Sequence, residues 1–250
     1  MVIRAVIFDL FDTLVDLRQE NLPTEEHHGM QLPASVHAMH AALSERAEIP
    51  FERFTLAMAE ASRVFAMSHF ARDREVPTRL RFEDVVRRLG LADPELPEIL
   101  TGVHMGVLRS EVAVPAHHAA LLGVLRRRVR LGVCSNFSHS ETALGILEEA
   151  GLRAHLDAIV VSDTFGLRKP RVEIFQEVLA RLGVRAEEGI HVGDSLSADV
   201  QGAAALGLRS VWLTRRVPAC DARLRMHAGA RPDHVLPDLA ELPRLLDALA

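Results

Sequence analysis

The sequence predicts an α/β fold: a doubly wound parallel sheet with a Rossmann-like core, carrying an inserted all-helical cap domain. Two observations support this. In the C-terminal half of the chain, short apolar runs rich in β-branched residues alternate with runs of helical periodicity. Strand–helix units of this length form right-handed crossovers, which place helices on both faces of a parallel sheet. Ahead of this half lies a long helical stretch with no convincing strand.

The first strand is predicted over residues 2–8, and its nearly uniform apolar character is typical of a central strand in a parallel sheet. Gly151, Gly183 and Gly207 each follow a helical run and are expected to take the left-handed conformation that ends a helix. The pattern Ser138-x-x-Glu141 predicts a capping box. In chain order, the other core elements are predicted as a strand at 129–134, a helix at 140–150, a strand at 158–161, a helix at 172–182, a strand at 190–192, a helix at 197–206, strands at 209–213 and 234–236, and a helix at 239–249.

The domain organisation follows from where the pattern changes. The catalytic core is predicted to comprise residues 1–16 and 112–250, and the cap residues 17–111. The methionines and phenylalanines of the cap helices are expected to form a core stripe rather than a ligand site. The cap histidines, such as His27-His28 and His37-x-x-His40, lack the spacing of a metal-ligand quartet and are predicted to be surface or cap histidines. The cap helices are predicted over 34–47, 51–70, 78–89 and 98–109, and the stripe consists of Met39, Phe54, Met58, Phe65, Met67 and Phe70.

Composition restricts the partners. The chain has 250 residues, is 48% hydrophobic and 25% charged, and carries a net charge of −5, so no basic footprint for nucleic acid or an anionic membrane is present. No apolar run approaches the length of a membrane span. Cys134 and Cys220 are expected to be free thiols in a reducing cytoplasm. We therefore expect a cytoplasmic protein with a small-molecule substrate, no nucleic-acid partner and no membrane partner; its oligomeric state, monomer or homodimer, stays open.

Polar residues that can carry chemistry follow four of the predicted strands. Functional groups in a parallel sheet collect beyond the carboxyl ends of its strands. Lys169 is the single lysine among 29 basic residues. Arginine occupies every other basic position, so a compact ammonium group is expected to be needed there. The strand ends carry Asp9, then Ser135 and Asn136, then Lys169, then Asp194 with Asp199 one helical turn further on.

These residues lie in four motifs, in order: FDLFDTLV (8–15), CSN (134–136), RKP (168–170) and GDSLSAD (193–199). Together they resemble the haloacid dehalogenase superfamily, in the subgroup whose helical cap is inserted after the first motif. The resemblance spans nearly the whole chain. It implies a hydrolase with Asp9 as the nucleophile.

The charges of this set require compensation. Carboxylates that converge at one crevice cannot all remain ionised without a nearby cation, and Mg²⁺ with hard oxygen ligands is the usual solution. The predicted metal-site residues are Asp9, Phe11, Asp194 and Asp199. The resemblance assigns catalytic roles to Asp9, Thr13, Ser135, Asn136 and Lys169, with the hydroxyl and amide groups binding phosphoryl oxygens. Two alternatives stay open: Ser135-Asn136 could be ordinary loop residues, and Asp199 could be a first-turn charge favoured by the helix dipole.

The first motif departs from the family pattern at one position. Phosphatases of the family carry a second Asp two residues after the nucleophile, which protonates the leaving oxygen, whereas Phe11 occupies that position here. Asp12 is a doubtful substitute because adjacent side chains point in different directions. Three hypotheses follow: a Mg²⁺-dependent phosphohydrolase of a small phosphorylated metabolite that forms an aspartyl-phosphate on Asp9, a 2-haloacid dehalogenase-type hydrolase that attacks carbon through Asp9, and a weakly catalytic or non-catalytic binding protein.

Overall fold

The computed structural model describes residues 2–249, which form two compact units: unit 1, up to Asp16 and again from Ala113 onward, and unit 2, Leu17–Val112. Among residues 2–249, none of the helices combines the length and the apolar character that crossing a lipid bilayer would require. The strands are β1 (Ala5–Phe8), β2 (Asp16–Leu17), β3 (Glu25–His27), β4 (Met30–Leu32), β5 (Val112–Ala113), β6 (Arg130–Ser135), β7 (Ala158–Val161), β8 (Gly189–Gly193), β9 (Arg209–Leu213) and β10 (His234–Leu236). The α-helices are α1 (Val36–Ser44), α2 (Phe51–Ser68), α3 (Thr78–Arg88), α4 (Leu96–Ser110), α5 (His118–Leu125), α6 (Ser140–Glu149), α7 (Ser162–Phe165), α8 (Val172–Leu182), α9 (Gln201–Ala205), α10 (Cys220–Met226) and α11 (Leu242–Ala248).

Unit 1 is built on a six-stranded sheet in the order β10-β9-β8-β1-β6-β7, and every recorded strand pair in it is parallel. The predicted α/β fold and the central place of the first strand are confirmed. Phe8 pairs in register with Val133 on one side and with Val192 on the other. Because these three residues lie at the same level, the segments that follow β1, β6 and β8 leave the sheet at one edge.

The predicted core elements are present with shifted ends, whereas the helices α5, α7 and α10 were not predicted. β1 begins at Ala5 rather than at residue 2, and Val2 is 66% exposed. The predicted capping box is wrong: the residue that caps α6 is His139, whose Nδ1 accepts a hydrogen bond from the backbone N–H of Thr142 at 3.3 Å. The predicted left-handed glycines are confirmed, with φ angles of 66° for Gly151, 63° for Gly183 and 72° for Gly207.

Unit 2 contains helices α1 to α4, which pack around a core of its own. The expectation of an all-helical insertion is wrong in one place, because β3 and β4 form an antiparallel hairpin. Its turn consists of His28 and Gly29, both with left-handed φ angles of 52° and 73°. Each strand of the hairpin has only three residues, too few to show a periodic pattern in the sequence. Met39, Phe54 and Met58 of the predicted stripe are buried, but Met67 is 71% exposed and does not belong to it.

Candidate active site

Lys169 lies at the centre of the residues that the sequence analysis singled out. Its side chain is 2% exposed, and its Nζ donates to Asp9 Oδ1 at 2.7 Å and to Asp199 Oδ1 at 2.6 Å. Burial alone would lower the pKa of Lys169, but attraction to Asp199 and Asp9 outweighs it, so the pKa lies above its usual range. The ammonium group is therefore charged and bridges two carboxylates that come from segments 190 residues apart in sequence.

Asn136 holds Lys169 in this position. The backbone N–H of Lys169 donates to Asn136 Oδ1 at 2.7 Å, and Asn136 Nδ2 donates to the carbonyl of Lys169 at 2.9 Å. The peptide bond that follows, Lys169–Pro170, is cis. Asn136 follows β6 directly, so its paired hydrogen bonds join the end of this strand to the loop ahead of α8. Its amide is thus occupied by the backbone of Lys169, which differs from the predicted donation to a phosphoryl group.

Asp199 is the most enclosed carboxylate of the site, with a side chain 1% exposed. In addition to Lys169, its Oδ1 lies 2.8 Å from His191 Nε2, and its Oδ2 accepts from the backbone N–H of Ser195 at 3.0 Å. Burial raises the pKa of Asp199, but attraction to Lys169 and the hydrogen bond from His191 prevail and hold it well below the usual range. Asp199 therefore remains ionised.

A turn of π-helix (Leu196–Val200) carries Asp199, where the sequence predicted an ordinary α-helix. Single π-helical turns occur frequently at functional sites, since they shift the direction of a side chain. This turn brings Asp199 against Gly193 so closely that a Cβ atom on Gly193 would lie 2.3 Å from the carboxyl carbon of Asp199. The absence of a side chain at position 193 is therefore a packing requirement of the site.

Asp194 has the opposite electrostatic behaviour. Burial, followed by repulsion from Asp9, Asp199 and Asp12, raises the pKa of Asp194 to about 8. Burial also raises the pKa of Asp9, although attraction to Lys169 partly offsets it. The backbone carbonyl of Asp194 accepts a hydrogen bond from Trp212 Nε1 at 2.7 Å, which fixes the end of β8 against β9.

We call Asp9, Asp194 and Asp199 the carboxylate cluster. They can offer ligand atoms that all lie within 4.8 Å of one another. A single lysine does not neutralise three carboxylates, and the remaining repulsion adds to burial in raising the pKa of Asp194. Oxygen ligands with an excess of negative charge suit a hard dication, so the donor set fits Mg²⁺. The side chain of Phe11 has no ligand atom, so its predicted place in the metal set can rest only on its backbone carbonyl oxygen.

The remaining predicted residues divide into two groups. Thr13 and Ser135 are fully or almost fully buried, and their hydroxyl oxygens have no hydrogen-bond partner among residues 2–249. Buried hydroxyls are normally satisfied, so these two depart from the rule. The ring of Phe11, by contrast, packs on Phe137 with centroids 4.8 Å apart. Asp12 has a left-handed φ of 53°, and its Oδ1 lies 3.6 Å from Arg216 Nε, so its carboxylate is engaged by a guanidinium.

His191 contacts the site and was missed by the sequence analysis. It lies in the middle of β8 and is 1% exposed, its Nε2 is 2.8 Å from Asp199 Oδ1, and its ring makes a T-shaped contact with the ring of Phe175. The available signal was a histidine inside an otherwise apolar strand, just before the Gly193-Asp194 motif. Its partner could not be identified, because Asp199 reaches it only through the π-helical turn.

A cavity of about 430 Å³ adjoins the carboxylate cluster in unit 1. Asp194 forms part of its wall, and Arg223 contributes a positive charge. Its lining also includes Ser195, Ser197, Trp212 and His227.

The chain is similar in sequence to known proteins. The profile of the haloacid dehalogenase-like hydrolases matches residues 3–207. The chain is 36% identical over 129 residues to haloacid dehalogenase-like hydrolase domain-containing protein 3 of Mus musculus, a match that covers 52% of this chain and only about half, 49%, of that protein. It is 27% identical over 217 residues to a glyceraldehyde 3-phosphate phosphatase of Methanopyrus kandleri, covering 85% of this chain and 84% of the phosphatase.

A solved structure has the same fold. The 2-haloacid dehalogenase from Pseudomonas syringae pv. Tomato DC3000 superposes with a TM-score of 0.72 at 24% identity, with 100% of both chains covered. At this identity the likeness concerns the fold alone.

Proposed function

The chain belongs to the haloacid dehalogenase-like hydrolase family, and we propose that within it this protein is a Mg²⁺-dependent phosphohydrolase of a small phosphorylated metabolite, with Asp9 as nucleophile. One observation carries the proposal: the buried ammonium of Lys169 bridges Asp9 and Asp199, while Asp194 shares their cluster. Relatives named as phosphatases, such as the archaeal glyceraldehyde 3-phosphate phosphatase, support the choice of a phosphoester.

In the first step, a carboxylate oxygen of Asp9 attacks phosphorus. The bond from this oxygen to phosphorus forms as the bond to the leaving oxygen breaks, and the leaving oxygen takes the electron pair and acquires a proton from water. Water then attacks the aspartyl-phosphate, releases inorganic phosphate and restores the carboxylate of Asp9. Both steps are nucleophilic catalysis by a carboxylate.

The side chains around Asp9 have different roles in this reaction. Lys169 offsets negative charge on Asp9 and on the phosphoryl group, and the hydroxyls of Thr13 and Ser135 donate to phosphoryl oxygens. Bound Mg²⁺, held by Asp9 and Asp194, would supply the charge that lets an anionic substrate approach an anionic nucleophile. Asp199, whose oxygens already accept three hydrogen bonds, and Asn136 are positioning residues: they hold Lys169 rather than substrate.

The position of Phe11 restricts the substrates. No carboxylic acid stands two residues after the nucleophile, so the leaving oxygen has no protein proton donor at that point. Leaving groups that need little protonation, such as phenols or carboxylates, are therefore favoured. The cavity beside Asp194 with Arg223 in its wall is consistent with a small substrate that carries a second negative charge. We further propose that unit 2 (Leu17–Val112) is the cap that selects among such substrates, and that the protein acts in the cytoplasm, where its two free cysteines stay reduced.

The test measures hydrolysis of an aryl phosphate with Mg²⁺, with EDTA, and with EDTA followed by Mg²⁺. Activity should be abolished by EDTA and return with the metal, and ³²P-labelled substrate should leave an acid-stable label on Asp9. In Asp9→Asn the turnover should fall by a factor on the order of 10⁴ or more, as for loss of other catalytic nucleophiles.

The dehalogenase alternative has one observation in its favour, which is Phe11, because a halide leaves without a proton. Metal-independent halide release from 2-chloropropionate, together with no hydrolysis of the aryl phosphate, would replace the phosphohydrolase proposal. Absence of both activities in a folded protein would leave a binding role.

A further inference from the structure

We propose that unit 1 holds a second metal site, selective for a borderline divalent cation such as Zn²⁺, formed by His117, His118 and Asp238. We call these three residues the histidine cluster. They can offer ligand atoms that lie within 4.8 Å of one another. The three residues belong to none of the four motifs, and the proposed hydrolysis makes no use of them.

His118 is the observation that distinguishes this cluster from an ordinary surface ion pair. It is 0% exposed, and its Nδ1 lies 2.8 Å from the carbonyl oxygen of Leu14, so Nδ1 carries the proton and donates. The lone pair of the neutral ring is then on Nε2, which is buried and has no partner among residues 2–249. Metal-ligating histidines show this arrangement: the second ring nitrogen donates to a backbone carbonyl or a carboxylate, which fixes the tautomer.

The other two members can move toward a cation. His117 Nε2 lies 2.8 Å from Asp238 Oδ1, and the two side chains are 46% and 31% exposed. Zn²⁺ binds histidine nitrogen at about 2.0–2.1 Å with tetrahedral geometry, which separates neighbouring donors by on the order of 3.4 Å. Closing the widest separation in the cluster requires small rotations of the exposed members, while His118 stays fixed.

The charge around the cluster permits a dication. The guanidinium of Arg215 approaches, with Nε 3.8 Å from Asp238 Oδ2, but the same guanidinium is engaged by Asp16 through two contacts. Two imidazole nitrogens and one carboxylate favour Zn²⁺ and similar ions, whereas sites of carboxylate oxygens alone favour Mg²⁺. Three protein ligands leave a fourth position for water or an external ligand.

A bound Zn²⁺ would join separate parts of unit 1. His117 and His118 lie at the start of α5, and Asp238 follows β10 and caps the turn Leu239–Glu241 through the backbone N–H of Ala240. Through the carbonyl of Leu14, His118 also reaches the loop that follows Asp9 and contains Thr13. The site would stabilise this loop from outside the carboxylate cluster.

The experiment measures Zn²⁺ retained per chain after equilibrium dialysis against excess Mg²⁺, together with the melting temperature with and without Zn²⁺. Wild type and Asp194→Asn should both retain one Zn²⁺, because Asp194→Asn removes only the Mg²⁺ site. His117→Gln and Asp238→Asn should weaken Zn²⁺ binding by more than the 10–100-fold typical of losing an outer partner of a metal ligand. An anomalous difference map at the zinc edge should place the ion against His118.

His37→Gln is the matched control. His37 is 61% exposed and its Nε2 lies 3.0 Å from Glu25 Oε2, so this variant also removes an exposed histidine paired with a carboxylate. It should leave Zn²⁺ retention unchanged. Three results would each overturn the proposal: no Zn²⁺ retained by wild type, loss of Zn²⁺ in Asp194→Asn, or equal retention in His117→Gln and wild type. Because the readout is metal content, failure of this site leaves the proposed hydrolysis untouched.

Discussion

The carboxylate cluster and the histidine cluster each bring three potential ligands together in unit 1, yet they differ in how charge is compensated. In the carboxylate cluster, a buried ammonium already lies between Asp9 and Asp199, and burial together with repulsion from the neighbouring carboxylates still raises the pKa of Asp194 to about 8. In the histidine cluster, burial lowers the pKa of His118, and a single carboxylate, Asp238, is partly exposed.

On our two proposals, this difference would let one fold separate two kinds of metal. An excess of buried negative charge is compensated by any bound dication, hard or soft. Because the donors are oxygen atoms, the abundant Mg²⁺ is the ion expected there. Neutral nitrogen donors carry no such excess, so they bind only ions with an intrinsic preference for imidazole. Lys169 is therefore decisive, because its positive charge determines how much negative charge of the carboxylate cluster remains uncompensated.

Lys169→Met should therefore have the largest effect. The variant leaves Asp9 and Asp199 buried without their cation, and breaking such a pair costs about 3–5 kcal/mol of folding stability. Loss of a preorganised charge at the reacting group should also lower turnover by about 10²–10³. Urea unfolding and hydrolysis of an aryl phosphate measure the two effects, and Zn²⁺ retention should not change.

Arg185→Met is the control for Lys169→Met, since it removes an exposed cation that pairs with Glu187 and Glu188. It should change neither stability nor turnover appreciably. Lys169→Arg keeps the charge and changes its shape. Full activity in that variant would show that position 169 needs only a positive charge, contrary to our interpretation of the single lysine.

Phe11→Asp should have a smaller effect of opposite sign. It adds an acid beside the carboxylate cluster, at the place where the leaving oxygen needs a proton. General acid catalysis is typically worth about 10²–10⁴, so turnover of an alkyl phosphate should rise by a factor of about 10–100 once imperfect placement is allowed for. An aryl phosphate, whose leaving group needs no proton, should gain less.

Phe11→Leu separates the acid from the loss of the aromatic contact with Phe137. It should not raise turnover on either substrate. An equal rise in both variants would mean that relief of packing, rather than a proton donor, causes the gain, and unchanged turnover in Phe11→Asp would contradict the explanation based on a missing acid.

The residues of the carboxylate cluster could be predicted from the sequence because a parallel sheet brings its strand ends to one edge. Asp9, Lys169 and Asp194 needed only that rule and the order of the motifs. The role of Asn136 could not be predicted, because its amide is matched to the backbone of Lys169 rather than to a ligand. The role of His191 could not be predicted either, since its contact with Asp199 depends on a π-helical turn. Hydrophobic periodicity in the sequence does not indicate such a turn.

The histidine cluster could not be predicted from the sequence for a related reason. His118 and Asp238 are 120 residues apart and belong to no motif. Nε2 of His118 is unpaired because Nδ1 donates its hydrogen to a backbone carbonyl. A backbone acceptor cannot be recognised from the residue types in a sequence. The hairpin formed by β3 and β4 was missed because strands of three residues lack a detectable alternation.

The last effect concerns Asp194 and the dependence of stability on pH, and it is small over any single pH unit. Its pKa is about 8 in the folded protein against an ordinary value of 3.8, so between these two pH values the folded state holds a proton that the unfolded state has lost. Stability of the metal-free protein therefore falls as pH rises through this window, by up to about 1.4 kcal/mol per pH unit.

Asp194→Asn lacks this loss, so in EDTA its stability relative to wild type should increase from pH 4 to pH 8 and then level off. Saturating Mg²⁺ should flatten the dependence in wild type, because a bound dication keeps the carboxylate ionised. Urea unfolding of both proteins across this range measures the difference between their free energies of unfolding. If this difference does not depend on pH in EDTA, the carboxylate cluster does not hold an excess of negative charge. Its contrast with the histidine cluster would then be wrong.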